Sequence, residues 1–176
     1  MLYDDAPLRT AVAGDSSKLS FEYTLDARHT PLHGFCQLAI GIRNDTLADK
    51  SKYYIRNRVG KWTSSVGGKY DNGWMKADIR QWGNFSVAVD TIAPSVTPIG
   101  QNIWRTRRDI RFRVSDGQTG IASYKVLIDG KFVLFALKKG VLIIQDPDKV
   151  KKGVPHTAEV IVADNCGNVT RKQYKF

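Results

Sequence analysis

The chain is poor in the residues and motifs that catalysis and metal binding require. It has three histidines among 176 residues, and they form neither a His-x-His nor a His-Glu-x-x-His. His29 and His33 stand four apart, which would bring them together on a helix. Pro31 between them argues against a helix, and in extended chain they lie roughly 13 Å apart. His156 is alone. There is no Gly-x-Ser-x-Gly elbow for a nucleophile, and Gly67-Gly68 lacks the Gly-Lys-Ser/Thr ending of a phosphate loop. The two cysteines, Cys36 and Cys166, make no Cys-x-x-Cys, so zinc ribbons and dithiol redox motifs are excluded. No apolar run approaches the ~20 residues of a membrane-spanning helix. Met1-Leu2-Tyr3-Asp4-Asp5 has neither the charged nor the apolar part of an export signal. The expectation is a cytosolic protein or a fragment, and the two-module organisation below favours the fragment. No catalytic residue, metal ligand or cofactor is assigned.

Hydrophobic residues make up 42% of the chain and aromatic ones 10%, enough for real cores. The organising stretch runs from Val87 to Ile99. Its first half alternates like the last strand of one β-unit. Pro94 and Pro98 then bias the chain toward extended, non-helical backbone. On either side lie short alternating strands ending in turns. The expected fold is all-β: two tandem immunoglobulin-like β-sandwich modules, residues 1–93 and 94–176. One cysteine falls in each, which predicts two separate thiols, both buried as small apolar groups.

In the first module about six strands are expected, among them 19–25, 32–43, 53–59, 74–80 and 85–89. Residues 26–31 and 81–84 read as turns, 44–52 as a loop or short helix, and 67–73 as a hairpin loop. In the second, strands are expected over 109–114, 121–128, 132–137, 141–144, 158–162 and 169–176. Asp129-Gly130 is a strong hairpin signal. No long amphipathic helical pattern is present.

Charge divides unevenly. Residues 1–93 hold 12 Lys+Arg against 10 Asp+Glu, whereas residues 94–176 hold 15 against 7. A basic module attracts anionic partners, although a solvated surface is the plainer reading. Alternation places Arg107, Asp109, Arg111 and Arg113 on one face, making Arg107, Arg111 and Arg113 a candidate contact face. No aromatic residues interleave with it, which argues against nucleic acid. The loops at Asp116 and at 164–168 could offer oxygens to calcium, but Asp and Asn also close turns onto their own backbone, and that role is preferred. Of the four tryptophans, Trp62, Trp74 and Trp82 are candidates for stacking on sugar rings. Core packing is the first expectation for all four.

These residues also carry a resemblance. The stretch Trp82-Gly83-Asn84-Phe85-Ser86-Val87-Ala88-Val89-Asp90-Thr91-Ile92-Ala93-Pro94 resembles the junction in the C-terminal region of Bacteroidetes lysostaphin-type zinc peptidases. So do Ser115-Asp116, Gly120-Ile121-Ala122-Ser123-Tyr124, Ile128-Asp129-Gly130-Lys131-Phe132-Val133-Leu134-Phe135 and Asp164-Asn165-Cys166-Gly167-Asn168. That family's zinc ligands, a His-x-x-x-Asp and a distal His-x-His, do not occur here. The resemblance therefore implies the non-catalytic tail of such an enzyme, with zinc held only by a separate catalytic domain. It implies an exported parent, in the periplasm or cell envelope, that cuts peptidoglycan. The implied partners are the parent's own peptidase domain or an envelope component. The alternative is a glycan-binding or adhesive module. Thr46 in Asp45-Thr46-Leu47 and Thr91 in Asp90-Thr91-Ile92 also resemble O-glycosylation sites of exported proteins from these bacteria.

Overall fold

The computed structural model describes residues 9–13, 19–26 and 32–176. His29, Pro31, most of the 26–31 turn and the first five residues lie outside them. The chain divides into two compact units, Met1–Thr91 and Ile92–Phe176. Both are all-β with antiparallel pairing throughout.

Unit 1 contains β1 (Arg9–Ala13), β2 (Glu22–Asp26), β3 (Cys36–Gly41), β4 (Tyr53–Val59), β5 (Trp62–Gly67), β6 (Lys69–Asp71), β7 (Trp74–Ile79) and β8 (Gly83–Val89). They form a five-stranded sheet, β1-β2-β8-β4-β5, and a three-stranded sheet, β3-β7-β6. Period-two alternation gives each sheet one apolar face, and the two faces meet. Tyr53, Ile55, Phe85 and Val87 come from the larger sheet, and Ile40, Met75 and Ile79 from the smaller. The strand β5 was not anticipated, because Trp62-Thr63-Ser64-Ser65-Val66-Gly67 has no apolar alternation. It lies at a sheet edge and needs none.

Unit 2 contains β9 (Ser95–Ile99), helix α1 (Gln101–Arg107), β10 (Arg111–Ser115), β11 (Ile121–Ile128), β12 (Lys131–Phe132), β13 (Phe135–Lys138), β14 (Val141–Ile144), β15 (Thr157–Asp164) and β16 (Val169–Lys175). Its sheets are β13-β14-β10-β9 and β12-β11-β15-β16. The two sheets share one core, with Phe112, Val114 and Leu142 from the first and Val126, Val160 and Val162 from the second. Pro98 sits in β9, an edge strand, where its missing N–H disrupts no ladder. Trp104 of α1 is fully buried at the centre of the core, its ring 4.9 Å from Phe112 and 5.4 Å from Phe176. Among the described residues no helix is long and apolar enough to cross a membrane.

Candidate functional site

The tryptophans separate in the structure. Trp104 fills the core of unit 2, as core packing requires. Trp62 and Trp74 do not: they are 84% and 50% exposed, which overturns core packing for both. Trp82 is half-buried. The cause is strand parity. In β7 the buried residues are Met75 and Ile79, so Trp74 faces outward with Lys76 and Asp78. Trp62 opens edge strand β5 opposite Val59, which is also exposed. The two rings belong to different sheets, so the three candidates do not form one platform.

Trp74 has the more developed surroundings. Asn72 and Gly73 both adopt positive φ and close a two-residue hairpin between β6 and β7, fixing Asp71 opposite Trp74. On its other side Trp74 pairs with Gly41, and a side chain at Gly41 would touch the indole, its Cβ 3.6 Å from the ring. The outward row of β3 is thus small and polar: Gly41, Ala39 and Gln37. Lys76 bonds Asp71 at 2.6 Å beside it. A shallow groove of ≈ 690 Å³ runs along Gln37, Lys69, Asp71, Lys76 and Asp78. Trp74 itself lines a second, more apolar groove of ≈ 430 Å³ with Phe21, Tyr23 and Leu25. A half-exposed indole among hydrogen-bonding side chains on a sheet face can stack on a sugar ring while its neighbours bond the hydroxyls.

The other candidate residues are dispersed. Thr46 is exposed on the loop before β4, and Thr91 is exposed at the end of unit 1. The loop of Thr46 is held by its neighbour Asp45, whose carboxylate accepts from Lys50 and, at 2.6 Å, from the Tyr70 hydroxyl. These bonds lower the Asp45 pKa, with Lys50 the larger cause, and raise that of Tyr70. Lys50 also lies over the stacked rings of Tyr53 and Tyr70. Cys36 is exposed at the start of edge strand β3, and only Cys166 is buried. The expectation of two buried thiols fails at Cys36: it pairs with buried Ile79, but it opens an edge strand, where it is left exposed.

The arginine face is also revised. Arg107 ends α1, and Arg108 turns the chain with φ 59, so only Arg111 and Arg113 extend outward from β10. In the Asp116 loop, Oδ1 accepts from the backbone N–H groups of Gln118, Thr119 and Gly120 at 2.7–3.0 Å. In the 164–168 loop, Asp164 accepts from the N–H groups of Cys166 and Asn168 and from the Asn168 amide. Both loops show the turn chemistry expected of them.

His156 was read only as a lone histidine. Its Nδ1 lies 2.5 Å from an Asp129 carboxylate oxygen and its Nε2 2.7 Å from the Lys151 carbonyl. Both partners are acceptors, so only the doubly protonated imidazolium satisfies both. Burial opposes the charge, but Asp129 and the carbonyl outweigh it and raise the pKa, with Arg105 acting against them. Asp129 is lowered in return, chiefly by His156. A raised histidine stabilises the fold fully below its unfolded value near 6.5, and the contribution disappears as pH rises through the folded value. The expected result is that unit 2 melts at lower temperature as pH rises from 6 to 9. In His156→Gln that slope flattens. A parallel slope in wild type and variant would contradict the assignment.

The fold and surface together define an all-β, two-unit protein with exposed indoles on unit 1. Residues 1–90 match the family model of the Zu5-like domain, and the chain belongs to that family. A search of curated proteins finds no match.

Proposed function

We propose that this chain is a non-catalytic accessory region of an exported cell-wall zinc endopeptidase and docks the enzyme on envelope glycan through the Trp74 face of unit 1. The observation that carries the docking role is the half-exposed Trp74 indole, seated on Gly41, paired across the hairpin with Asp71 and followed on its own face by Lys76. The resemblance of the 82–94 junction and the Ile128–Phe135 stretch to peptidase tails supports the parent enzyme. On this reading the protein works in the periplasm or cell envelope, and zinc belongs to the catalytic domain.

Titration of the full chain with soluble muropeptides and glycan strands, followed by tryptophan fluorescence, tests the docking role. Buried aromatic anchors are worth about 2 kcal/mol or more at binding surfaces, roughly thirtyfold in affinity. Trp74→Ala is expected to lose about that much, and Trp62→Ala to stay within about twofold. Equal losses, or no fluorescence response from the wild type, would count against the reading. A free-standing glycan-binding or adhesive module is the second reading, favoured by the same exposed tryptophans. The native gene separates the two. A signal peptide, a His-x-x-x-Asp and a His-x-His ahead of residue 1 support the peptidase parent, and further sandwich repeats support the adhesin.

A further inference from the structure

The imidazolium of His156 joins two segments of unit 2. Its Nδ1 meets the Asp129 carboxylate in the turn of the β11–β12 hairpin, and its Nε2 meets the Lys151 carbonyl in the segment after β14. Asp129 also accepts from the Thr157 N–H at 2.8 Å, which fixes the hairpin turn to the start of β15. Each joined segment carries a lysine: Lys131, two residues beyond Asp129, and Lys151 itself. Both line a pocket of ≈ 320 Å³, together with Lys149, Asp129 and Phe132. All five of these residues are exposed, so a ligand can reach them from solvent.

The acidic groups of these segments are already engaged. Asp129 is taken by His156, Asp146 by Lys149 at 3.0 Å, and Asp148 by Arg108 at 2.9 Å. Among the described residues no ion pair or hydrogen bond engages the ammonium of Lys131 or Lys151. The pocket therefore holds surplus positive charge within a module that is itself basic, 15 Lys+Arg against 7 Asp+Glu over residues 94–176. A concave surface of one sign concentrates ligands of the other.

The kind of cation narrows the kind of anion. A guanidinium fork matches a planar carboxylate, and no arginine lines the pocket. Ammonium groups act as compact point charges and suit phosphate. A phosphate monoester brings about −1.5 to −2 charges and three acceptor oxygens, enough to answer both unpaired lysines and to share Lys149. The volume lies at the lower end of the ~300–1,000 Å³ of small-molecule sites, room for the phosphate and a small group that carries it. Phe132, 56% exposed, borders the pocket and offers that group apolar surface.

We propose that this pocket binds a phosphate monoester through Lys131, Lys149 and Lys151. His156 is the positioning residue: it holds the two lysine-bearing segments together and cancels the charge of Asp129, the one acid that lines the pocket. The inference concerns unit 2 and does not rest on the glycan reading of unit 1. Soluble sugar phosphates and lipid headgroups both carry this group, and the test separates them.

The test uses the full chain at fixed low salt, titrated calorimetrically with glucose 6-phosphate, with glucose as comparison. Sedimentation with phosphatidylcholine vesicles containing either phosphatidic acid, a monoester, or phosphatidylglycerol, a diester, forms the second arm. Glucose 6-phosphate is expected to bind at least about tenfold more tightly than glucose. Lys131→Gln and Lys151→Gln should each weaken it about fivefold, the worth of one close charge pair in water, whereas Lys138→Gln, an exposed lysine outside the pocket, stays within about twofold. Trp74→Ala also stays within about twofold, so failure here is distinguishable from failure of the docking surface. His156→Gln, measured below its melting temperature, should lose about fivefold or more, and adding Asp129→Asn should recover most of the loss by removing the uncovered charge. Retention by phosphatidic acid over phosphatidylglycerol, with the same lysine dependence, places the monoester on a lipid, and its absence alongside glucose 6-phosphate binding places it in solution. Binding of neither monoester, equal affinity for glucose, or equal losses in Lys138→Gln and Lys151→Gln would overturn the proposal. Failure of Asp129→Asn to restore binding would overturn the part given to His156.

Discussion

Trp104→Ala is expected to cost unit 2 about 4 kcal/mol or more, the largest effect of any single substitution in the chain. The side chain is fully buried on a seven-residue helix, and its ring meets Phe112, Tyr174 and Phe176 edge-on. Truncating a buried Trp to Ala costs about 3–5 kcal/mol from lost transfer energy and the cavity left behind. Aromatic edge contacts add about 0.5–1.5 kcal/mol each beyond area. The indole Nε1 also donates to the Ile99 carbonyl at 2.9 Å, and that acceptor would lose its partner. A domain of this size has about 5–15 kcal/mol in total, so the variant should sit near its unfolding midpoint at room temperature. Denaturant titration followed by circular dichroism measures it. A loss below about 1.5 kcal/mol would show that α1 is not integral to the core.

The second large effect is expected at Asp164. This carboxylate is buried at the end of β15 and closes the turn into β16. It accepts from Cys166 N–H at 2.8 Å, from Asn168 N–H at 2.9 Å and from Asn168 Nδ2 at 2.7 Å. Cys166 and Asn168 are themselves buried, so water cannot easily replace the lost acceptor. Each unpaired buried donor costs about 1–3 kcal/mol. Against this stands a second carboxylate: an oxygen of Asp116 lies within 4.8 Å of one on Asp164, and removing either charge relieves repulsion. The net expectation for Asp164→Ala is a loss of about 3 kcal/mol. Asp164→Asn keeps one acceptor for the two backbone donors and turns its amide toward the Asn168 amide, so it should cost about 1 kcal/mol. Equal losses in the two variants would mean that charge, rather than the acceptor geometry, holds the turn.

How much of this was legible in the sequence depended on whether a residue's role is local. The alternation of Ile110, Phe112 and Val114 identified β10. Asp129-Gly130 was a hairpin and shows the positive φ values such turns need. Both acidic loops were read as self-bonded turns, and are. The exposure of Trp74 was legible in parity but masked by the indole's own size: Trp74 shares its face with Lys76 and Asp78, whereas Met75, Ala77 and Ile79 make the apolar row. Helix α1 offers just Ile103 and Trp104 as apolar positions, too few to establish a period. Its N-cap is Gly100, which supplies no side-chain cap to announce it. The His156–Asp129 pair joins residues 27 apart in sequence, and the hairpin signal at Asp129-Gly130 says nothing of a histidine partner.

The proposed docking role puts glycan on the Trp74 face of unit 1. The most direct measurement is binding of purified peptidoglycan strands to the full chain and to Trp74→Ala, with Trp62→Ala as the matched loss of an exposed indole. Affinity is expected to fall roughly thirtyfold in Trp74→Ala and to stay within about twofold in Trp62→Ala, with unit 1 equally stable in all three. Wild-type affinity in Trp74→Ala, with the protein folded, would contradict it.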